Sequence, residues 1–289
     1  MFKWLAAMCH SDGDISFFND AAFGVALTPG QLRECANTLG QDANRLSEDG
    51  VIQLEPSGYL RIRRDPLLVI FDTAQVGPDY IPGHAHADTL SFELSWNAQR
   101  VLTNSGTSTY GVGPRRAWER STAAHNTVEI DTENSSEVWS GFRVARRARP
   151  FGLELGQFGG TFRAACSHDG YRRLKGAPVH RRAIEVGRSA LKISDAIFGR
   201  GIHQAAGCFH FHPDVRLEET TDGHWTIFLP QGNKLRIRGQ NGLRLTREKG
   251  EYAPEFGKLI SRPLLVWRIE QQLPISAAVD IFEEQMTVP

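Results

Sequence analysis

Gly58-Tyr-Leu-Arg-Ile-Arg-Arg-Asp-Pro-Leu-Leu-Val-Ile-Phe71 decides the fold class. Its first half, Gly58 to Arg63, alternates apolar and polar residues, and Leu67 to Phe71 is an unbroken apolar run. Both patterns suit strands, whose side chains point alternately to two faces. Toward the carboxyl terminus, short units of the same kind recur. They are Thr89 to Trp96, Arg100 to Thr103, Thr127 to Asp131, Phe142 to Ala148, Ala183 to Val186, Ala190 to Asp195, Trp225 to Leu229, Lys234 to Arg238, Leu243 to Arg247 and Leu264 to Ile269. Gly, Asn, Asp and Pro separate them at short intervals. Such a chain is expected to be mainly β, an antiparallel sandwich or barrel.

Toward the amino terminus the pattern changes near residue 48. Thr28-Pro29 opens a helix, since Thr is a good N-cap and Pro fits the first helical position. Leu32, Cys35, Ala36, Leu39, Ala43 and Leu46 follow at near-helical spacing, and Asp49-Gly50 ends the run. Residues 1–9 suit a helical turn or two. His10-Ser-Asp-Gly-Asp14 is a turn, because Asp-Gly favours positive φ. The expected division is a helical unit over 1–48 and a β unit over 49–289.

The bulk numbers exclude several classes. The chain has 289 residues, with Lys plus Arg equal to Asp plus Glu at 33 each. A net charge of zero argues against a nucleic-acid partner, which needs a basic excess or a concentrated basic face. Cys9, Cys35, Cys166 and Cys208 lie far apart without a CxxC pair, so buried free thiols are expected rather than a disulfide framework. Met1 to His10 is too short and too quickly polar for a signal peptide. No apolar run is long enough for a membrane span, so membrane insertion is not expected.

The sharpest local feature is Gly83-His84-Ala85-His86-Ala87-Asp88. On a strand, His84, His86 and Asp88 would share one face. Two imidazoles and a carboxylate there could ligate a metal or transfer protons; the plainer reading is packed or exposed histidines. His125, in Ser121-Thr-Ala-Ala-His-Asn-Thr-Val-Glu-Ile-Asp131, is a possible distant ligand. Asn104, at the end of Val101-Leu-Thr-Asn-Ser-Gly106, could point into the same site or satisfy its own turn.

Taken together, Pro82-Gly-His-Ala-His-Ala-Asp-Thr-Leu-Ser-Phe-Glu-Leu94, Leu102-Thr-Asn-Ser-Gly-Thr107, Arg120-Ser-Thr-Ala-Ala-His-Asn-Thr-Val128 and Phe142-Arg-Val-Ala-Arg146 resemble the heparinase II/III-like family. His168-Asp-Gly-Tyr171, Val179-His-Arg-Arg182 and His210-Phe-His-Pro213 add to the likeness. His10-Ser-Asp-Gly with Phe18-Asn-Asp-Ala-Ala-Phe23 resembles the end of the helical domain that precedes the sandwich there. The resemblance implies a large antiparallel β-sandwich behind a short helical remnant of an (α/α) toroid. It implies a polysaccharide lyase that cleaves uronic-acid-containing polymers, such as heparan sulfate or alginate, by β-elimination in the periplasm or after secretion. His84 matches the catalytic histidine. His86 and His125 match zinc ligands, and Asn104 stands where the third, usually Asp, is expected. The neutral amide weakens that zinc site unless water or Asp88 compensates.

Most of the toroid, with its catalytic Tyr and the Asn or His beside it, has no counterpart in this sequence. The expectation is therefore a fragment or one half of a split gene, working with a separate toroid-bearing chain. Whether this chain alone is an enzyme is left open. Tyr110 is a second candidate for proton transfer, against the plainer role of a packed turn aromatic. Arg120 and Arg143 are candidates for holding an acidic sugar, Arg143 within the basic run Arg143, Arg146, Arg147 and Arg149. Trp96, Trp118 and Trp139 could stack on sugar rings, although Trp96 fits the core better. Two rival readings are a cupin-like metalloenzyme and a non-catalytic carbohydrate-binding module.

Overall fold

The opening stretch forms two strands of an antiparallel meander in the computed structural model, which describes residues 1–41, 46 and 48–284. Gly50–Leu54, Tyr59–Arg64, Leu67–Asp72, Phe92–Trp96 and Gln99–Leu102 pair in chain order. A four-stranded sheet runs Thr246–Tyr252, Ile260–Gln272, Ile202–His210, Val128–Ile130. The two sheets meet edge to edge: Thr103 N–H donates to His210 O (3.0 Å) and His212 N–H to Val101 O (3.0 Å). An eight-stranded sheet covers them, in the order Arg216–Glu219, Trp225–Phe228, Lys234–Gly239, Ile275–Glu283, Ala190–Phe198, Val179–Val186, Thr161–His168, Pro150–Phe158. One core, including Leu60, Val69, Ile184, Ile193, Phe209, Trp267 and Ile281, draws on all three sheets. The fold is the antiparallel β-sandwich expected from the sequence.

Burial alternates along Val179–Val186, Ala190–Phe198 and Ile275–Glu283, as it must where one sheet face meets the core and the other meets solvent. Leu67–Asp72 is buried throughout. Leu67, Val69 and Phe71 enter the main core, while Ile70 points the other way into a cluster with Ala7, Met8, Phe18 and Tyr59. The amino-terminal segment is thus the second cover that an unbroken apolar strand requires. Burying Ile70 and Phe18 there contributes about 1.5–3 kcal/mol each.

Polar contacts fix that segment in register. Glu93, paired with Ile70 across the sheet, carries a buried carboxylate. It meets His10 Nε2 at 2.6 Å and accepts the backbone N–H of Phe17 (3.1 Å) and of Asn104 (2.6 Å). Arg100 pairs with Asp12, and Arg61 Nη1 donates to Cys9 O (2.6 Å).

Departures from the sequence expectations have local causes. Pro150–Phe158 is a largely exposed edge strand in which Phe151, Leu153 and Leu155 alternate with Gly152, Glu154 and Gly156, and the two glycines mask it as a turn. Ile202–His210 needs Gly207, whose added Cβ would stand 2.2 Å from Trp267 Nε1. The expected strand at Leu243 begins only at Thr246, since Leu245 drops into the core and its carbonyl accepts Trp225 Nε1–H. Phe142 to Ala148 shrinks to Arg143–Val144. The helix Pro29–Thr38 starts with a capping box between Thr28 and Gln31 and ends at Leu39, short of the expected Leu46; Ala43 lies outside the described residues. All four cysteines are free, with Cys35 exposed and the others buried. No described helix is long and apolar enough to cross a membrane.

Gly106 sits at φ +74°, and a Cβ there would stand 2.1 Å from Ala253 O. Ala253 N–H donates to Ser105 O (2.7 Å), so this backbone approach ties the 104–107 turn to the four-stranded sheet. Gly106→Ala is expected to cost more than about 1 kcal/mol of stability, from the φ and the clash together. The check is a lower urea midpoint at unchanged slope.

Candidate functional site

The segment Gly83 to Asp88 is a loop rather than a strand, so the expected one-face arrangement is replaced by a different geometry. His84 is 68% exposed at its side chain, whereas His86 and Asp88 are buried. Asp88 turns away to accept Asn19 N–H (3.2 Å). The histidines converge on Asp20, a residue the sequence reading passed over.

Asp20 is delivered by the docked amino-terminal segment. Asn19 takes φ +54°, a conformation Asn tolerates, and its Oδ1 accepts His86 N–H (3.2 Å). Asp20 Oδ2 then meets His84 Nδ1 (2.9 Å), and Oδ1 meets His86 Nε2 (2.7 Å). Arg116, fully buried on the helix Pro114–Glu119, grips both carboxylate oxygens. Burial pushes the Asp20 carboxyl upward, but hydrogen bonds from His86 and Arg116 outweigh it and hold it well below the usual range. Thus Asp20 is an anion with its proton donors arranged around it.

Aromatic rings surround His84. Tyr110 and Phe142 lie edge-on at centroid distances of 5.6 and 5.5 Å, and Phe256 packs on Tyr110 at 4.7 Å. The Arg116 guanidinium lies 5.2 Å from the Tyr110 ring centre. The Tyr110 phenol is pushed up by burial and by the Asp20 charge, against Arg116. It keeps its proton at neutral pH.

His86 Nδ1 stands 3.1 Å from His125 Nε2, while His125 Nδ1 meets Ser121 O at 2.7 Å. Burial drives His125 down to about 4, so it is neutral at physiological pH. These two rings come together as the sequence suggested. Asn104 Oδ1 accepts Asn126 N–H (3.0 Å), which leaves it one neutral lone pair, and its amide nitrogen faces Ser91 Oγ at 3.5 Å. An amide –NH2 is a donor and not a ligand. Among the described residues no three His, Cys, Asp or Glu side chains gather to hold a metal ion. The residues present therefore fit two imidazole ligands and offer only a neutral, already hydrogen-bonded amide oxygen where a zinc centre expects a third protein ligand.

The assignment of Arg120 to substrate is corrected. Its side chain is buried and donates to Ala85 O, Trp139 O, Ser140 O and Gly141 O, clamping the histidine loop to the 139–141 turn. Arg143 is exposed and sits opposite exposed Trp139. Among its neighbours, Arg146 is paired with Glu137 and Arg147 with Asp79. Trp96 is core, as expected. Phe142 was read as the start of a strand and as part of the family resemblance but not as a site residue, and no local pattern marks Arg116 or Phe256. Asp20 lay inside the quoted Phe18–Phe23 stretch, the one signal that could have found it.

The later motifs build the scaffold. Arg182 Nη1 donates to Leu90 O (2.9 Å) and Asn126 O (2.5 Å), holding the loops that carry His86 and His125. Tyr171 Oη donates to Val128 O (2.7 Å), and His210 Nε2 meets Ala123 O at 2.9 Å.

The sequence profile of the family described as "Heparinase II/III-like, C-terminal" matches residues 49–272. Among curated proteins none matches. Of solved structures, a mutant heparan sulfate lyase from Pedobacter heparinus is 16% identical with a TM-score of 0.78, over 99% of this chain and 47% of that one. A heparinase III gene product is 17% identical with a TM-score of 0.78, over 99% of this chain and 46% of that one. A further heparinase III gives 16%, a TM-score of 0.75, and coverage of 98% and 47%. At these identities the likeness is one of fold, and the chain spans less than half the length of these solved relatives.

Proposed function

Because the chain belongs to the heparinase II/III-like family, through the carboxyl-terminal domain matched by residues 49–272, we propose that it carries the sandwich half of a polysaccharide lyase. The substrate class is an acidic, uronate-containing polysaccharide, which includes the heparan sulfate of the solved relatives, and the reaction is β-elimination. The observation that carries this reading is the Asp20–His84 pair opening to solvent beside Tyr110.

In β-elimination a base removes the proton at C5, charge builds on the adjacent carboxylate, and an acid protonates the departing O4. Asp20 behind Nδ1 fixes the His84 tautomer, leaves Nε2 free toward substrate and stabilises the imidazolium that forms. Tyr110, which retains its proton, suits the acid. Arg143 suits a carboxylate or sulfate, and Trp139 offers a ring face for stacking. The remaining catalytic groups belong to a toroid, in the same protein or on a partner chain. A substrate of this kind places the protein in the periplasm or outside the cell.

The test uses the full chain with heparan sulfate and alginate oligosaccharides, alone and with a toroid domain supplied. Unsaturated uronate products are expected with the toroid. His84→Ala should lower the rate about 10²–10⁴-fold. Arg143→Ala should weaken oligosaccharide binding about tenfold, the worth of one charge-assisted contact. A chain that binds no acidic polysaccharide, or a His84→Ala variant as active as its parent, would defeat the proposal.

A further inference from the structure

The two imidazoles at the centre of the site leave room for one positive species between them. Ser121 O can only accept, so His125 Nδ1 carries the proton and Nε2 a lone pair. Asp20 is anionic against Arg116, so His86 Nε2 carries the proton that faces it. His86 Nδ1 and His125 Nε2 then oppose each other at 3.1 Å. Two bare lone pairs cannot face at that distance. Either a proton or a metal ion must join them.

Charge distinguishes the two. With two neutral imidazoles and the neutral Asn104, none of these three groups would meet zinc with a negative charge, and the buried Asp88 carboxylate, whose charge acts on His125, turns away to accept Asn19 N–H. Arg116, Arg120 and Arg262 are already buried around this centre, and the Asp20 carboxylate is committed to Arg116, His84 and His86. Arg262 Nη1 donates to Thr103 O (2.8 Å) and Asn104 O (3.1 Å), which puts a cation directly behind the residue that should have been the anionic ligand. A proton adds only one charge, and Asp20 faces it across the His86 ring. A carboxylate at position 104 would change the balance, since one oxygen could accept Asn126 N–H while the other bound the metal.

We infer that the His86–His125 centre of this chain is closed by a hydrogen bond between the two rings and takes no zinc, and that Asn104 is the residue that withdraws the metal. The inference does not depend on which polysaccharide is bound or whether it is cleaved. It is tested by metal analysis of the purified full chain after equilibration with zinc and removal of excess. His86→Ala, Asn104→Asp and the Asn104→Asp/His86→Ala double variant are measured beside it. The parent is expected to hold far less than one zinc per chain, unchanged in His86→Ala. Asn104→Asp should take up about one, which the double variant loses, as a site built from two imidazoles and a carboxylate would. One zinc per chain in the parent, lost in His86→Ala, would overturn the inference. So would a folded Asn104→Asp, judged by circular dichroism, that takes up none. If Asn104→Asp fails to fold, the comparison of the parent with His86→Ala decides alone. A chain that binds no acidic polysaccharide leaves these metal counts as they are, so the two proposals fail separately.

Discussion

Asp195→Ala is expected to remove about 3–5 kcal/mol of stability, the usual result of stripping the partner from a buried charge. Arg182 is fully buried, and its guanidinium meets the two Asp195 oxygens at 2.8 and 3.0 Å. Behind the pair runs a line of buried groups. Gly170 N–H donates to His168 Nδ1 (3.1 Å), so His168 Nε2–H points to His180 Nδ1 (3.2 Å) and His180 Nε2–H to Asp195 (2.8 Å). Both rings are neutral in that arrangement, in keeping with burial pushing both downward. A loss of this size is a large part of the stability of an ordinary domain.

The pair also sets an acid limit. Burial raises the Asp195 carboxyl, but Arg182 and His180 more than offset it and bring it to about 2 from an ordinary 3.8. A depressed carboxyl stabilises the fold above its unfolded value and loses that contribution as the pH falls through the folded value. The parent should therefore lose about 2 kcal/mol between pH 4 and pH 2 from this group. Urea titrations of the parent, Asp195→Ala and Asp195→Ala/Arg182→Met measure both effects. The double variant should recover much of the loss and lack this part of the acid dependence. An unchanged midpoint in Asp195→Ala would show that the line does not hold the loops.

Asp20→Ala should be comparably costly, about 3–5 kcal/mol, because Arg116 is left buried without its anion and His86 Nε2–H loses its acceptor. The variant should also loosen the amino-terminal segment, since Asp20 joins it to the histidine loop. Urea unfolding gives the energy. Faster hydrogen exchange across residues 84–88 gives the place. Pairing Asp20→Leu with Arg116→Met should restore stability while leaving His84 without its acceptor. Stability would then return without the ordered His84 ring, which separates the structural role of Asp20 from its hold on His84. Parent-like unfolding and exchange in Asp20→Ala would refute the role given to it.

Local periodicity was enough for the sandwich. The alternation at Gly58 to Arg63 and the turn residues between short apolar units report directly on strands, because each strand meets the core with every second side chain. The capping box at Thr28 was equally local. Pro150–Phe158 was passed over although Phe151, Leu153 and Leu155 alternate, because Gly152 and Gly156 between them look like turn residues. Leu243 to Leu245 was misassigned because a loop leucine such as Leu245, buried in the core, looks the same in sequence as one on a strand.

Several residues of the candidate site could be named from sequence. The spacing of His84 and His86 and the motif around His125 named three imidazoles, and position 104 announced a neutral residue where an acid was expected. Tertiary structure decided which of these act together. Asp20 and Arg116 lie 96 residues apart in the chain, and no period or motif links them. They meet because the apolar strand Leu67–Asp72 needs covering on its outer face, and the segment that covers it brings Asp20 along. Arg120 reads in sequence as a substrate ligand, but its buried guanidinium donates to four backbone carbonyls. Side-chain identity is written in the chain, but charge pairing and burial arise only when distant segments pack, and those two properties separate a ligand from a scaffold.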